Sequence, residues 1–205
     1  MNILVASNFF KECASSEQVN DAIERGIDLF LPFHNKNLEI KKIEICDDGT
    51  GFASILAKAT KGEIIECPAV DPLNRPITSF YGVDKHRKTA FIEVAQTAGL
   101  GLLKKEEQNP VNATSYGVGL QLNNAIQNFQ VDKIFVGCGD TAINDFGIGM
   151  LAALGVEFRN NKGKVLDPST PRDIMNIQSI TYNKSELINY INRNVDTVAR
   201  IPVKY

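Results

Sequence analysis

The chain has 205 residues, 43% of them hydrophobic and 22% charged, with a formal net charge of −2 and a pI of about 5.8. That length holds one sizeable core or two small intimate domains, and the charge balance excludes the basic stripe that nucleic acid demands. No apolar run is long enough to span a bilayer, and the opening Met-Asn-Ile-Leu-Val-Ala reads as a strand rather than a signal peptide, so a cytoplasmic protein with no membrane partner is expected.

Residues 2–6 are a short apolar run typical of a fully buried parallel strand. Ser15 and Gln18 then fit a capping box, in which each side chain satisfies the other residue's orphan backbone donor. Val19, Ile23, Ile27 and Phe30 recur at helical spacing, which predicts one apolar face until Pro32 stops the helix. A second strand is expected over 38–45, broken at Asp47-Asp48-Gly49, and a helix over 52–60 ends near Gly62. This strand–helix–strand–helix opening predicts parallel pairing.

Between residues 62 and 94 the pattern becomes strand-like, with runs at Glu63–Cys67, Ile77–Val83 and Thr89–Val94. Turn chemistry at Asp71-Pro72-Leu73-Asn74 and a polar tip at Asp84–Lys88 predict short antiparallel connections. Residues 104–110 form a charged linker ended by Pro110. Ser115 is placed to cap a helix whose apolar positions are Val118, Leu122, Ile126 and Phe129. A strand over 131–137 leads through a Gly/Asp-rich loop to a helix carrying Ile143, Phe146, Met150 and Leu154 on one face, closed by Gly155. Beyond Arg159 the chain turns polar, with one further helix expected over Ser185–Arg193. Cys13, Cys46, Cys67 and Cys138 lack a Cys-x-x-Cys pair, which predicts reduced, mostly buried thiols and no zinc site, and neither His34 nor His86 has a metal-ligand spacing.

The foremost site candidate is the run from Gly137 to Gly149, which includes Gly139, Asp140, Thr141, Asn144 and Asp145. It follows a strand and opens a helix, where α/β sheets bind ligands and glycine backbones approach phosphate closely. Asp140 and Asp145 supply carboxylates for Mg²⁺ or a hydroxyl, although an ordinary capped turn explains the pattern equally well. The loop is neither a Walker motif nor a Gly-x-Gly-x-x-Gly fingerprint, because Ala142 stands where the third glycine belongs. The absence of that fingerprint after the first strand disfavours a dinucleotide oxidoreductase.

A second candidate is Asp47-Asp48-Gly49-Thr50-Gly51, whose adjacent carboxylates suit a divalent cation, although taken by itself the Asp-Gly pair is better explained as a simple turn. In Thr114-Ser115-Tyr116-Gly117-Val118-Gly119, two glycines in a first helical turn cost about 1 kcal/mol each relative to alanine. A ligand, or another backbone in close packing, accounts for them. Lys11 follows the first strand, where a lysine can meet an anionic substrate or phosphate, although most surface lysines are merely solvated.

Taken in order, these segments resemble the bacterial glycerate kinase family. Ala6-Ser7-Asn8-Phe9-Phe10-Lys11-Glu12, Cys46-Asp47-Asp48-Gly49-Thr50-Gly51-Phe52, Thr114–Gly119 and Gly139–Met150 each match a family segment. Asp71-Pro72-Leu73-Asn74-Arg75-Pro76 and Ile92–Leu100 lie between them and match as well. The likeness covers residues 1 to about 165. Departures from the pattern fall at Asn8, Phe9, Asp48 and Thr50, and at Phe146, where the family has glycine.

The resemblance implies an α/β fold, a parallel sheet flanked by helices with a β-rich second lobe, in a shortened and incomplete version of a two-domain enzyme. On that pattern, residues 1–61 and 111–160 form a discontinuous α/β core, 62–110 the β-rich lobe and 161–205 a polar C-terminal segment. It implies transfer of the ATP γ-phosphoryl group to a glycerate hydroxyl with Mg²⁺. Asp47 and Asp145 are the implied catalytic carboxylates and metal ligands, and Lys11 faces an anion. Gly49, Gly51, Ser115, Gly117 and the Gly137–Asn144 loop hold substrate or phosphate. The rival reading is a scaffold of the same fold that binds without turnover. In either case a chain of about half the family's usual length is expected to expose an apolar patch or an unpaired strand edge, and so to dimerise, aggregate or be only marginally stable.

Overall fold

The computed structural model describes residues 2–10, 13–30, 38–167 and 171–182. It contains two compact units, Met1–Asp47 and Asp48–Tyr205. The helix expected over Ser185–Arg193 lies outside the described residues, as do Lys11, His34 and Pro32.

In the first unit, β1 (Asn2–Val5) and β2 (Glu39–Lys42) pair in parallel, with Asn2 opposite Glu39, and α1 (Ser16–Phe30) connects them. The capping box forms as its spacing requires: Ser15 N–H donates to Gln18 Oε1 at 2.9 Å and Gln18 N–H donates to Ser15 Oγ at 3.2 Å. Asn20, 1% exposed, ties the unit together. Its Oδ1 accepts from the Ser7 N–H and hydroxyl, and its Nδ2 donates to the Ile43 carbonyl at 3.0 Å. The apolar stripe of α1 is not covered as its spacing suggests, since Ile23 and Phe30 are exposed. Nor is β1 fully buried: only Val5 is, and Leu4 is 61% exposed, because a two-stranded ribbon has too few neighbours to bury both faces.

The second unit is built on a four-stranded sheet in the order β3 (Glu63–Val70), β4 (Pro76–Asp84), β5 (Thr89–Glu93), β6 (Lys133–Gly137). The first three strands form the antiparallel meander that their short turns predict. Asp71 shapes the first turn, accepting the N–H groups of Leu73 and Arg75 and pairing with the Arg75 guanidinium, which also reaches Glu107. Strand β6 is a correction. Rather than joining the opening strands in an α/β core separate from a β-rich lobe, it pairs in parallel with β5, Glu93 opposite Gly137. The 62–110 meander and the following α/β segment therefore share one sheet, and the observed boundary falls at Asp47/Asp48.

Helix α2 (Phe52–Thr60) packs against β4 and β5; at Gly82 an added Cβ would lie 2.7 Å from the Ala53 carbonyl oxygen. Helix α4 (Tyr116–Phe129) packs against β3, and its Val118, Leu122 and Ile126 enter a core with Tyr81, Val83, Ile92 and Ile134. Tyr81 closes that core edge-on to Phe129 and donates its hydroxyl hydrogen to Asn124 Oδ1 at 2.7 Å. A short α3 (Ala95–Ala98) follows β5, while α5 (Ile148–Ala153) and the antiparallel pair β7 (Val156–Arg159) and β8 (Ser179–Tyr182) follow β6.

Among the described residues β6 has no strand partner on its outer side. The thiols are a second correction, because Cys13 and Cys138 are exposed and only Cys67 is buried. Burial pushes the Cys67 thiol above its ordinary pKa, which starves it of reactive thiolate. A maleimide applied to the folded chain is therefore expected to label Cys13 and Cys138 at once and Cys67 on the order of a hundredfold more slowly, until denaturant is added. Peptide mass spectrometry of timed quenches reads this directly, and prompt labelling of Cys67 would refute the core assignment.

Candidate functional site

Strands β5 and β6 run in parallel, so their carboxyl ends lie side by side, and two loops converge there. The loop Asp48–Gly51 enters α2 through Gly51, whose φ of +94° suits glycine. The loop after β6 begins Gly137-Cys138-Gly139-Asp140 and lies directly against it: Gly139 N–H donates to the Asp48 carbonyl at 2.7 Å. A Cβ at Gly139 would sit 2.7 Å from the Gly49 nitrogen, and one at Gly137 would sit 2.7 Å from the Asp48 oxygen and the Phe52 ring. These glycines are required because backbone meets backbone. Asp140, itself at φ +55°, clamps the same junction, its Oδ2 accepting both the N–H and the hydroxyl of Thr50 at 3.1 Å. Beneath them Asp48 is 8% exposed, and its Oδ2 is buried without a hydrogen-bond partner.

Glu93 anchors this end of the sheet and was not singled out as a site residue from the sequence. It is fully buried, with Oε2 accepting the Ala53 N–H at 3.1 Å and Oε1 accepting from Gln96 Nε2 at 2.7 Å. A carboxylate at the end of the apolar run Ala90-Phe91-Ile92 was the available signal, since a buried acid must find donors. Here it finds one in the first turn of α2, where the helix dipole favours negative charge.

The second cluster centres on Asp145, 1% exposed. Its Oδ2 accepts the Ser115 N–H at 2.8 Å, the Ser115 hydroxyl at 2.7 Å and the Gly149 N–H at 3.1 Å, and its Oδ1 accepts the Gly147 N–H at 3.1 Å. One carboxylate thus holds donors at the starts of both α4 and α5. The sequence sets Asp145 on the chemistry as base or metal ligand; in the fold its oxygens are committed to these four donors. Ser115 departs from its expected capping role. It does not cap α4 through its side chain: its hydroxyl donates to Asp145 and accepts the Met150 N–H at 2.8 Å.

Helix α5 starts at Ile148 rather than Ile143, because Phe146 and Gly147 both take positive φ, +54° and +75°. Phe146 consequently leaves the apolar face predicted for it and is 87% exposed. At Gly117, a candidate binding residue, backbone packs closely: a Cβ there would lie 2.1 Å from the Val70 carbonyl oxygen. Thr141 faces Gly99 in an isolated bridge, and Asn144 is exposed beyond it. Asp47 is exposed at the end of the first unit, so the structure brings together Gly49, Gly51, Gly137, Gly139 and Asp140 in one place and Ser115 and Asp145 in another. Among the described residues no three His, Cys, Asp or Glu side chains gather into a metal-holding group, and no helix is long and apolar enough to cross a membrane.

Comparison with known proteins places these loops in context. The model of the glycerate kinase family matches residues 3–196. A glycerate kinase of Bacillus cereus is 40% identical over 169 residues, which cover 82% of this chain and 43% of that protein. A glycerate kinase of Haemophilus influenzae is 36% identical over 80% of this chain and 42% of its own length. The glycerate 2-kinase of Escherichia coli is 31% identical, again over 80% of this chain and 42% of its own. A crystal structure assigned as glycerate kinase 2 from Salmonella typhimurium LT2 matches with a TM-score of 0.74 at 30% identity, covering 88% of this chain and 46% of that one. The chain thus spans less than half the length of these relatives.

The four-donor arrangement makes Asp145→Asn disruptive to the fold itself. An amide presents an N–H₂ group either to the three donors gathered on Oδ2 or to the Gly147 N–H, so donor faces donor whichever way it flips. Loss of hydrogen bonds to a charged acceptor, with buried donors left over, is expected to cost about 3 kcal/mol of stability. Urea unfolding followed by circular dichroism measures it. A variant as stable as the parent would mean that the carboxylate is not the junction.

Proposed function

Because the chain belongs to the glycerate kinase family, we propose that it carries the loops that position substrate and phosphate for nucleotide-dependent phosphorylation of glycerate, with ATP as the donor. The observation that carries this reading is the apposition of the Gly49–Gly51 and Gly137–Asp140 loops at the carboxyl ends of parallel β5 and β6. Phosphoryl transfer asks a protein mainly for positioning and for donors aimed at phosphate oxygens. Glycine backbone, free of Cβ atoms, presents N–H groups at close range. Two loops locked by the Asp140–Thr50 contact keep those groups in place without reorganisation when the anion arrives.

The roles divide by exposure. Asp145 is a positioning residue that fixes the loop leading into α5 against the start of α4. Asp47, whose side chain is exposed, keeps the role of proton acceptor from the glycerate hydroxyl, and Lys11 that of an anion contact. Mg²⁺ accompanies ATP in such chemistry as a neutraliser of phosphate charge. The described residues do not form a protein cage for it: Asp145 is taken up by internal donors and no three-ligand group is present among them. No step is assigned through the metal.

The test is glycerate-dependent ADP release by the purified chain, supplied where needed with the remainder of the family fold, together with calorimetric titration of glycerate and of ATP separately. Asp47→Asn is expected to lower turnover by on the order of a hundredfold with unchanged stability, in contrast to Asp145→Asn, which lowers both. An Asp47→Asn protein of full activity would remove that residue from the chemistry. A folded chain that neither binds glycerate or ATP nor turns over in the presence of the remainder would overturn the kinase reading.

A further inference from the structure

The start of α2 rests on the carboxyl ends of β5 and β6, where two neighbouring positions receive it. Glu93 and Gly137 stand opposite one another in the parallel register. A Cβ at Gly137 would lie 2.7 Å from both the Asp48 carbonyl oxygen and the Phe52 ring, so the gap left by glycine admits the end of the Asp48–Gly51 loop. Beside that gap Glu93, 0% exposed, reaches Ala53, whose N–H donates to its Oε2 at 3.1 Å. Ala53 is itself fully buried, and its carbonyl oxygen lies against Gly82, where a Cβ would come within 2.7 Å. One residue of α2 is thus held at its N–H by β5 and at its carbonyl by β4.

The second oxygen of Glu93 aims the first. Oε1 accepts from Gln96 Nε2 at 2.7 Å, and the Gln96 carbonyl accepts the Ser79 hydroxyl at 3.5 Å, so the carboxylate is braced from behind by α3 and β4. A few residues before Ala53 the chain makes both contacts that join the two loops. Thr50 is held by Asp140, and the Asp48 carbonyl accepts the Gly139 N–H. A slide of α2 along its axis would carry both contacts out of register.

We infer that Glu93 is a positioning residue for the two-loop site: by holding the Ala53 N–H it fixes where α2 begins, and so keeps Gly49–Gly51 in register with Gly137–Asp140 for an incoming phosphate group. The reach of an acceptor is what counts. A negative charge behind the loops can only repel a phosphate in front of them. The inference rests on the phosphorylation reading for the identity of the anion, and on the hydrogen bonds alone for the positioning.

Two substitutions separate reach from charge. Glu93→Gln keeps the length and one oxygen for the Ala53 N–H, and its amide meets the Gln96 side-chain oxygen once that amide turns over. Glu93→Asp keeps the charge but is shorter by one methylene and does not reach. Amide exchange read by NMR at Thr50, Ala53 and Gly139 is expected to be about tenfold faster in Glu93→Asp and within about threefold of the parent in Glu93→Gln, with the amides of β3 and β4 unchanged in both. Calorimetric titration of the folded proteins with ATP is expected to follow the same order, about tenfold weaker for Glu93→Asp and unchanged or tighter for Glu93→Gln. A role in stability alone would instead speed exchange throughout the sheet and leave the affinity as it was. Should Glu93→Asp fail to fold, Glu93→Met fills the same space without an acceptor and is read in its place. The inference is overturned if loop exchange in Glu93→Asp matches the parent, if Glu93→Gln loosens the loops as much, or if ATP affinity survives once the loops are loosened. A parent chain that binds no ATP removes the phosphorylation reading, and the exchange comparison then decides the role of Glu93 by itself.

Discussion

Removing a carboxylate from water requires donors in its place, and the four hydrogen bonds on Asp145 are the contact on which the second half of the fold turns. Two helix starts would otherwise each leave orphan N–H groups in the interior. Gathering Ser115, Gly147 and Gly149 on one side chain satisfies donors from both and fixes α5 against α4 without a long connecting structure. Close contact follows at Gly149, where a Cβ would lie 2.3 Å from Thr114 Oγ1, and at Gly119, where one would lie 2.3 Å from the Met150 carbonyl oxygen. Gly119 in α4 and Gly149 in α5 are thus consequences of the junction, and their helix-propensity cost is offset by packing.

Glu93, at the carboxyl end of β5, works by the same rule. Fully buried, it holds the Ala53 N–H in the first turn of α2, so an acid on β5 orients the helix that covers one face of the sheet. The segment from Gly137 to Asp145 is held at its start by backbone pairing of Gly137 with β5, at its end by the Asp145 carboxylate, and between them is clamped through Asp140 to Thr50. Asp48 departs from the family glycine and leaves one carboxylate oxygen buried without a partner beneath this clamp. That is a local cost in an otherwise satisfied region.

The sheet explains where an open face arises. Its three antiparallel strands close on one another through short turns, but the fourth is added in parallel after a long excursion through α4, and its far edge meets no strand among the described residues. Apolar residues at Ile134 and Val136 therefore line a groove, although their neighbour Phe135 stacks on Phe91 with ring centroids 6.0 Å apart. Alternation along a strand sends these residues to opposite faces of the sheet.

Local chemistry was legible in the sequence wherever the deciding partner lies a few residues away. The Ser15–Gln18 box, the turn at Asp71, the helices at 52–60 and 116–129 and the three meander strands all rest on spacing and short-range sterics, and all appear. The family segments likewise marked out the loops that converge at the ends of β5 and β6. Which strand β6 joins, which carboxylates are buried, and whether a glycine makes room for a ligand or a backbone were decided only by tertiary structure. Asp145 and Asp47 look alike in sequence, each an acid beside glycines, yet one is 1% exposed and taken up by four donors while the other is exposed. A carboxylate's role depends on the donors that surround it, and those of Asp145 include Ser115, thirty residues earlier in the chain.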